Sequence, residues 1–253
     1  MSEGKPEKKR FQYLLIIFIV LVPIAMWIGR EFAFGKLIGY MRAQDAADIA
    51  ILSPIYLAII LYLGYYVHKH QAPWALVITF IVFGFVFMYG QSMHATANTI
   101  NTFATEVRDY KEILPKDLYA LIFFLDERLS HFILFLGITG LIGCWLVFDQ
   151  LAIAPPIFPK VPLLIVGIGI LFGVVMSYAI IEARMVWILF PIELILGGMW
   201  LWFWRRSGLS LRKFLGYRPF TTFVAILLVT TILAMLIWGL YFGGYPQPSE
   251  MGL

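Results

Sequence analysis

The 253-residue sequence has few charged side chains: they are 13% of the residues, whereas hydrophobic residues are 61%. A soluble domain carries about 25% charged residues, which help to cover its surface. This deficit excludes a soluble globular protein. The sequence has one cysteine, Cys144, which excludes a disulfide-stabilised fold and is expected to be a small core residue.

In place of charge, the sequence has seven apolar stretches, each near the roughly 20 residues that a helix needs to cross a bilayer. Lipid offers the backbone no hydrogen-bond partners, so each stretch is expected to be helical. We therefore predict an all-α polytopic membrane protein, a single transmembrane domain over residues 1–253. The predicted spans are 11–29, 46–67, 74–95, 118–148, 161–182, 186–204 and 221–243.

The ends of these spans predict an orientation. The first span lacks a small-residue cleavage site, so we expect a retained helix rather than a signal peptide. With a cytoplasmic N-terminus, the inner segments hold eleven basic and three acidic residues, and the outer side holds eight basic and twelve acidic ones. Cytoplasmic loops are enriched in Lys and Arg, which predicts a multi-pass protein of the cell membrane with its C-terminus outside. The basic loops imply membrane lipids as partners, not nucleic acid.

Small residues recur at packing spacing in several spans, and such residues let helices approach closely. We favour a tightly packed monomer core over a dimer seam, and the sequence leaves the oligomeric partners open. The residues concerned are Gly137, Gly140 and Gly143, then Gly169 and Gly173, then Gly197 and Gly198.

Ionisable side chains gather near the predicted outer ends of four consecutive spans. Such groups are costly within a membrane and usually face a cavity, a partner or a metal ion. Glu127 and His131 are four residues apart and share a helix face, so both can reach one ion. The third span brings His94 and Asn98 to the same level. The other candidate residues are Asp126, Arg128, Glu182, Arg184 and Glu193.

Several interpretations of these residues remain open. The charges could be structural pairs or groups that reach outer water, with the histidines hydrogen-bonded in the core. His94 and His131 could instead bind a metal with one or two carboxylates, a ligand set that favours zinc. They could also be the axial ligands of a b-type haem in an electron-transfer protein. Finally, the carboxylates suit a proton relay in a small proton-coupled transporter or a non-catalytic membrane subunit.

The segment Tyr89–Thr96, followed by Phe124–Glu127, resembles a pattern of the alkaline ceramidases and adiponectin-receptor-like proteins, the CREST membrane hydrolases. The resemblance covers about residues 89–131. It implies a seven-helix fold and a zinc ion that activates water against a lipid amide. It also implies that Ser92 orients the reacting oxygen, His94 binds zinc and Asp126 positions the water.

The favoured hypothesis is a metal-dependent, membrane-embedded hydrolase acting near the outer face on a lipid-like amide or ester. Its predicted ligands are His94 and His131, with Glu127 or Glu182 as the third. Asp126 would act as a base or orient the water that zinc acidifies. The polar 96–117 loop is long enough to form a lid over the outer opening.

Overall fold

The computed structural model describes residues 37–38, 41–69, 72–104, 114–151, 163–248 and 251. The described residues form two compact units, the first ending at Cys144 and the second beginning at Trp145. The predicted first span, 11–29, lies outside the described residues.

The first unit opens with a short ribbon in which β1 (Leu37–Ile38) pairs antiparallel with β2 (Met41–Arg42). The rest of its described residues are mostly helical. Helix α1 (Ala43–Ala47) continues through a π-helical segment, Asp48–Leu52, into α2 (Ser53–Lys69). The elements that follow are α3 (Trp74–Thr102), α4 (Lys116–Phe123), a second π-helical segment (Phe124–Leu129) and α5 (Ser130–Leu151).

The second unit begins within the C-terminal turns of α5. Two of its helices end at glycines with positive φ, Gly208 at 64° and Gly243 at 65°, a conformation that favours glycine because it has no Cβ. The helices of this unit are α6 (Leu163–Glu182), α7 (Val186–Ser207), α8 (Leu211–Tyr217) and α9 (Pro219–Phe242).

Six helices among the described residues are long and apolar enough to cross a membrane. They coincide with the second to seventh predicted spans, so the prediction of a helical membrane protein is confirmed for these six. Large apolar side chains on their surfaces, such as Leu240 at 84% exposed, suit contact with lipid. The six ranges are Asp45–Tyr66, Trp74–Thr102, Lys116–Gln150, Leu163–Glu182, Val186–Ser207 and Phe220–Phe242.

The third predicted span was too short at its C-terminal end. Residues 74–95 were expected to be helical, but α3 continues to Thr102. Residues 96–102 contain neither glycine nor proline, so nothing in them stops the helix. The polar residues of this extension are therefore helical and not part of a loop.

Glycines bring helices of the first unit into close contact. A Cβ built at Gly90 would lie within 3.0 Å of the main chain of Leu134, and one built at Gly137 would lie equally close to Phe87. Such contacts leave no room for a larger residue. The predicted role of Gly137 in helix packing is therefore confirmed, with Gly90 as its counterpart on α3.

In the second unit, α6 and α9 approach along the predicted pair Gly169 and Gly173. A Cβ on Gly173 would lie within 3.0 Å of Thr230, and the Thr231 hydroxyl donates to the Gly173 carbonyl at 3.2 Å. A Cβ on Gly197 or Gly198 would meet no atom of the described residues within 4 Å, so the packing role of this pair stays a prediction.

Asp149 ties the end of α5 to the start of α9. Its side chain is 4% exposed, and its carboxylate accepts a hydrogen bond of 3.2 Å from the Thr221 backbone N–H and another from the Thr221 hydroxyl. The Arg218 guanidinium donates to the Asp149 carbonyl. Burial lowers the pKa of Arg218, and the Asp149 carboxylate opposes that shift. Asp149 thus caps α9, where a negative charge is favourable.

Candidate functional site

Polar side chains of the first unit converge on Asp126, in the π-helical segment that precedes α5. Asp126 is 1% exposed although it lies within a helix apolar enough to cross a membrane. The Asn101 amide donates to Asp126 Oδ2 at 2.9 Å, and His94 Nδ1 lies 3.5 Å from Asp126 Oδ1. Two residues of α3 therefore lie beside the two oxygens of one buried carboxyl group, and Asn101 is the one that donates a hydrogen bond.

The sequence of α3 explains how it supplies both contacts. His94, Asn98 and Asn101 follow the spacing i, i+4 and i+7, which places them along one face of a helix. Gly90 is one turn earlier, where the main chain of Leu134 comes too close for any Cβ. This close approach brings the polar face of α3 within hydrogen-bonding reach of the Asp126 segment.

The main-chain carbonyl of Asp126 accepts two side-chain hydrogen bonds. His131 Nδ1 lies 3.0 Å from this oxygen, and the Ser130 hydroxyl donates to it as well. Ser130 is fully buried. Because residues of a π-helix pair five apart, the Asp126 carbonyl and His131 come together. We call Asp126, His94, Asn101, Ser130 and His131 the Asp126 cluster.

The two histidines of the Asp126 cluster are in direct contact. Their ring centroids are 4.5 Å apart with the ring planes at 60°, and the His94 side chain is 30% exposed. Each imidazole turns Nδ1 towards Asp126, so Nε2 is the nitrogen left for another partner. The three groups form a continuous series. It runs from the fully buried Asp126 carboxyl group to the His94 imidazole, which is partly exposed, and on to the His131 imidazole.

The contact between His94 and Asp126 is not a hydrogen bond. Both His94 Nδ1 and Asp126 Oδ1 are buried, and neither has a hydrogen-bond partner among the described residues. No Lys or Arg in the described ranges pairs with Asp126. Buried polar atoms normally have partners, so these two atoms are an exception among the buried polar groups of this unit.

A second buried carboxyl group, that of Asp45 on α1, contacts the same face of α3. The Asn98 amide donates to Asp45 Oδ1 at 2.9 Å, and Asp45 is 3% exposed. The sequence reasoning missed both Asp45 and Asn101. Asn101 could have been found by continuing the helical spacing from His94, whereas Asp45 only marks the start of a predicted span.

The remaining predicted residues of this unit lie outside the centre of the cluster. Ser92 is exposed on α3, and its carbonyl accepts a hydrogen bond of 2.9 Å from the Thr96 hydroxyl. Arg128 is exposed, and Glu127 is half-buried beside Asp126. Asp126, not Ser92, is therefore the residue around which α3 and α5 arrange their polar groups.

Three other predicted residues belong to the second unit. The Glu182 carbonyl, at the end of α6, accepts a hydrogen bond from the Gln247 amide. Arg184 is exposed in the turn before α7 with a positive φ of 55°, which is unusual for a residue other than glycine. Glu193 is buried within α7 and is 5% exposed.

The donor set bears on the expected metal. A zinc site is built from at least three protein ligands. Over the described part of the chain, no group of three or more His, Cys, Asp and Glu side chains could hold a metal ion. His94 and His131 are the two imidazoles that come together.

No protein-family model, curated protein or solved structure matches this chain. The class of the protein thus follows from its own fold: a helical membrane protein with a buried carboxylate–imidazole cluster. The resemblance to the CREST hydrolases stays a prediction.

Proposed function

We propose that this chain is an integral membrane protein that binds and relays protons through the Asp126 cluster, as the proton site of a small proton-coupled transporter. The observation that carries the proposal is the 1% exposed Asp126 carboxyl group, 3.5 Å from the His94 imidazole and without a basic residue paired to it in the described ranges. Carboxylates within membrane helices are typical of proton pathways.

The Asp126 carboxyl group and the His94 imidazole are chemically suited to exchange a proton. A buried carboxyl group without a counter-charge is favoured either as the neutral acid or beside a protonated imidazole, and the His94 imidazole lies beside Asp126. These two arrangements differ only by movement of one proton between Oδ1 and Nδ1. His131, whose ring lies against that of His94 in a tilted arrangement, provides the next acceptor along the series. Asn101 fixes Oδ2 and leaves Oδ1 facing the imidazole.

Reconstitution into liposomes tests this proposal. An enclosed pH-sensitive dye reports proton entry after an external acid pulse, with valinomycin and potassium compensating the charge. We expect the wild-type protein to accelerate acidification and Asp126→Asn to abolish the effect. His94→Gln should reduce it strongly, because it removes the group that exchanges a proton with Asp126.

Asp117→Asn is the matched control, because Asp117 is an exposed acid of the same unit. It should behave like the wild type. Equal rates for wild type, Asp126→Asn and empty liposomes, also after addition of candidate co-transported solutes, would contradict the proposal. Folding of each variant is checked by circular dichroism and gel filtration in detergent.

A specific observation supports the metal-dependent lipid hydrolase as a second candidate. Both imidazoles direct Nδ1 towards Asp126, and histidines that bind metals commonly orient themselves in this way through a carboxylate or a carbonyl. In this candidate, His94 and His131 would each offer Nε2 to zinc, although the described residues do not place a third protein ligand beside them.

Elemental analysis of the purified protein separates the two candidates. Near-stoichiometric zinc that is lost in His94→Ala and in His131→Ala would favour the hydrolase. A folded wild-type protein that takes up no zinc after incubation with the ion would leave proton relay as the function. A visible absorption spectrum of the same sample tests the b-type haem alternative.

The topology is also a proposal. We propose seven spans with the N-terminus in the cytoplasm and the protein in the cell membrane, supported by the excess of basic residues in the inner segments.

A further inference from the structure

Glu193 is a buried acid of the second unit that the Asp126 cluster does not include. It lies in the middle of α7, and its Oε2 atom is buried without a hydrogen-bond partner among the described residues. Glu193 is eight residues into a helix that is apolar up to its final turn, which corresponds to about 10 Å along the axis. A carboxyl group in this setting requires a physical explanation.

The elements packed against α7 in this unit are α6, α8 and α9. Within the described ranges, no Lys or Arg of these elements or of α7 itself pairs with Glu193. Arg205 and Arg206 lie at the far end of α7, and Arg212 and Lys213 are exposed on α8. The titratable residues on the packed elements are Tyr178 and Glu182 on α6, Arg212, Lys213 and Tyr217 on α8, and Tyr241 on α9.

A buried carboxylate with neither a counter-charge nor hydrogen-bond donors costs several kcal/mol or more relative to the neutral acid. We propose that Glu193 is a second proton-binding site, formed by residues of the second unit, in which the carboxyl group holds a proton within the membrane. Because no Lys or Arg among the described residues compensates its charge, loss of the proton would be favoured by a cation that takes its place. The proposal does not depend on the Asp126 cluster.

The same unit contains a matched acid. Asp149 is 4% exposed, close to the 5% of Glu193, and both lie in helices apolar enough to span a membrane. Asp149 differs because Thr221 donates two hydrogen bonds to its carboxylate and the Arg218 guanidinium contacts its carbonyl. Those donors stabilise the charged form of Asp149, whereas Glu193 has none among the described residues.

Hydrophobic carbodiimides distinguish the two forms, since they react with protonated carboxyl groups in apolar surroundings. The acid proton moves to one nitrogen of the N=C=N group, and the carboxyl oxygen bonds to the central carbon. The acyl group then migrates from oxygen to nitrogen and gives a stable N-acylurea. No atom leaves, so the modified residue gains the mass of one whole carbodiimide molecule.

Among the described residues, α7 has an open face one turn from Glu193. Gly197 is four residues further on and shares its helix face, and a Cβ there would meet no described atom within 4 Å. We therefore expect Gly197→Leu, which fills this space, to slow labelling of Glu193 without changing its protonation.

The experiment treats the full chain in detergent with dicyclohexylcarbodiimide and measures each peptide by mass spectrometry. We expect Glu193 to be labelled several-fold faster than Asp149, because Thr221 donates two hydrogen bonds to the Asp149 carboxylate and Glu193 has no such donor among the described residues. Labelling should slow as the pH rises. Equal labelling of Glu193 and Asp149 would overturn the proposal, because burial alone would then explain the reaction.

Infrared spectroscopy provides a second test that does not depend on access of the reagent. The wild type should show a protonated-carboxyl C=O band that disappears in Glu193→Gln. That band should persist in Asp126→Asn, so the result also separates this site from the Asp126 cluster. Absence of a Glu193-dependent band in the folded wild type would overturn the proposal whatever the labelling result.

Discussion

Asn101 donates a 2.9 Å hydrogen bond to Asp126 Oδ2 and thereby connects α3 to the π-helical segment before α5. The two residues are 25 positions apart in the chain, and Asp126 is almost completely buried. A hydrogen bond to a buried acid is stronger than one at the surface, because no water replaces it when it is lost.

Asn101→Ala should therefore destabilise the protein by about 1–3 kcal/mol, the cost of leaving a buried acceptor without its donor. The free energy of unfolding is measured in mixed micelles. Thr96→Ala, an exposed residue of the same helix, is the control and should change stability by less than about 0.5 kcal/mol. If Asn101→Ala is equally costly in an Asp126→Ala background, the two side chains are not coupled and the prediction fails.

Gly90→Ala should cost about 1–3 kcal/mol, because the new methyl group would overlap the main chain of Leu134. The comparison is Gly198→Ala, also within a helix but with no described atom within 4 Å of the added Cβ. Alanine favours a helix over glycine by about 0.5–1 kcal/mol, so Gly198→Ala should be neutral or stabilising. Thermal unfolding in detergent measures both variants; equal melting temperatures would mean that α3 and α5 are not in close contact at Gly90.

Thr221→Val should destabilise the second unit by about 1–3 kcal/mol. It keeps the shape of the side chain but removes the hydroxyl that donates to the buried Asp149 carboxylate. Thr79→Val is a suitable control, because the Thr79 hydroxyl is exposed and donates only to the Ala75 carbonyl of its own helix. A loss no greater than that of Thr79→Val would show that Asp149 does not depend on this donor.

Cysteine accessibility tests the orientation. Cys144 is buried, so the wild type should not react with a membrane-impermeant maleimide. In intact cells, Lys116→Cys should be labelled from the outside, whereas Lys213→Cys should be labelled only after permeabilisation. Both lysines are exposed in the structure. The reverse pattern would invert the proposed topology.

The membrane-spanning helices could be predicted from the sequence because hydropathy acts over whole segments. The six confirmed spans begin within a few residues of their predicted positions. The positions at which the helices end in polar residues were harder to predict. α3 continues through Asn98 and Asn101 because those side chains find buried partners, and this tertiary contribution is not visible in a hydropathy profile.

The site was predictable in part. His94 and Asp126 were found because ionisable residues in apolar segments are conspicuous. Asp45 was missed because its burial depends on Asn98, a partner 53 residues away. The packing role of Gly197 and Gly198 stays a prediction, because their spacing shows that a helix can approach there but no described neighbour occupies the space.

The π-helical winding of Phe124–Leu129 affects which main-chain carbonyl lies beside His131. An ordinary α-helix aligns positions four apart, and on that register Glu127 would face the imidazole. The wider turn aligns positions five apart, and the carbonyl of Asp126 meets His131 instead. Asp126 therefore meets both imidazoles, His94 through its carboxyl group and His131 through its main chain, so a single residue joins the two rings.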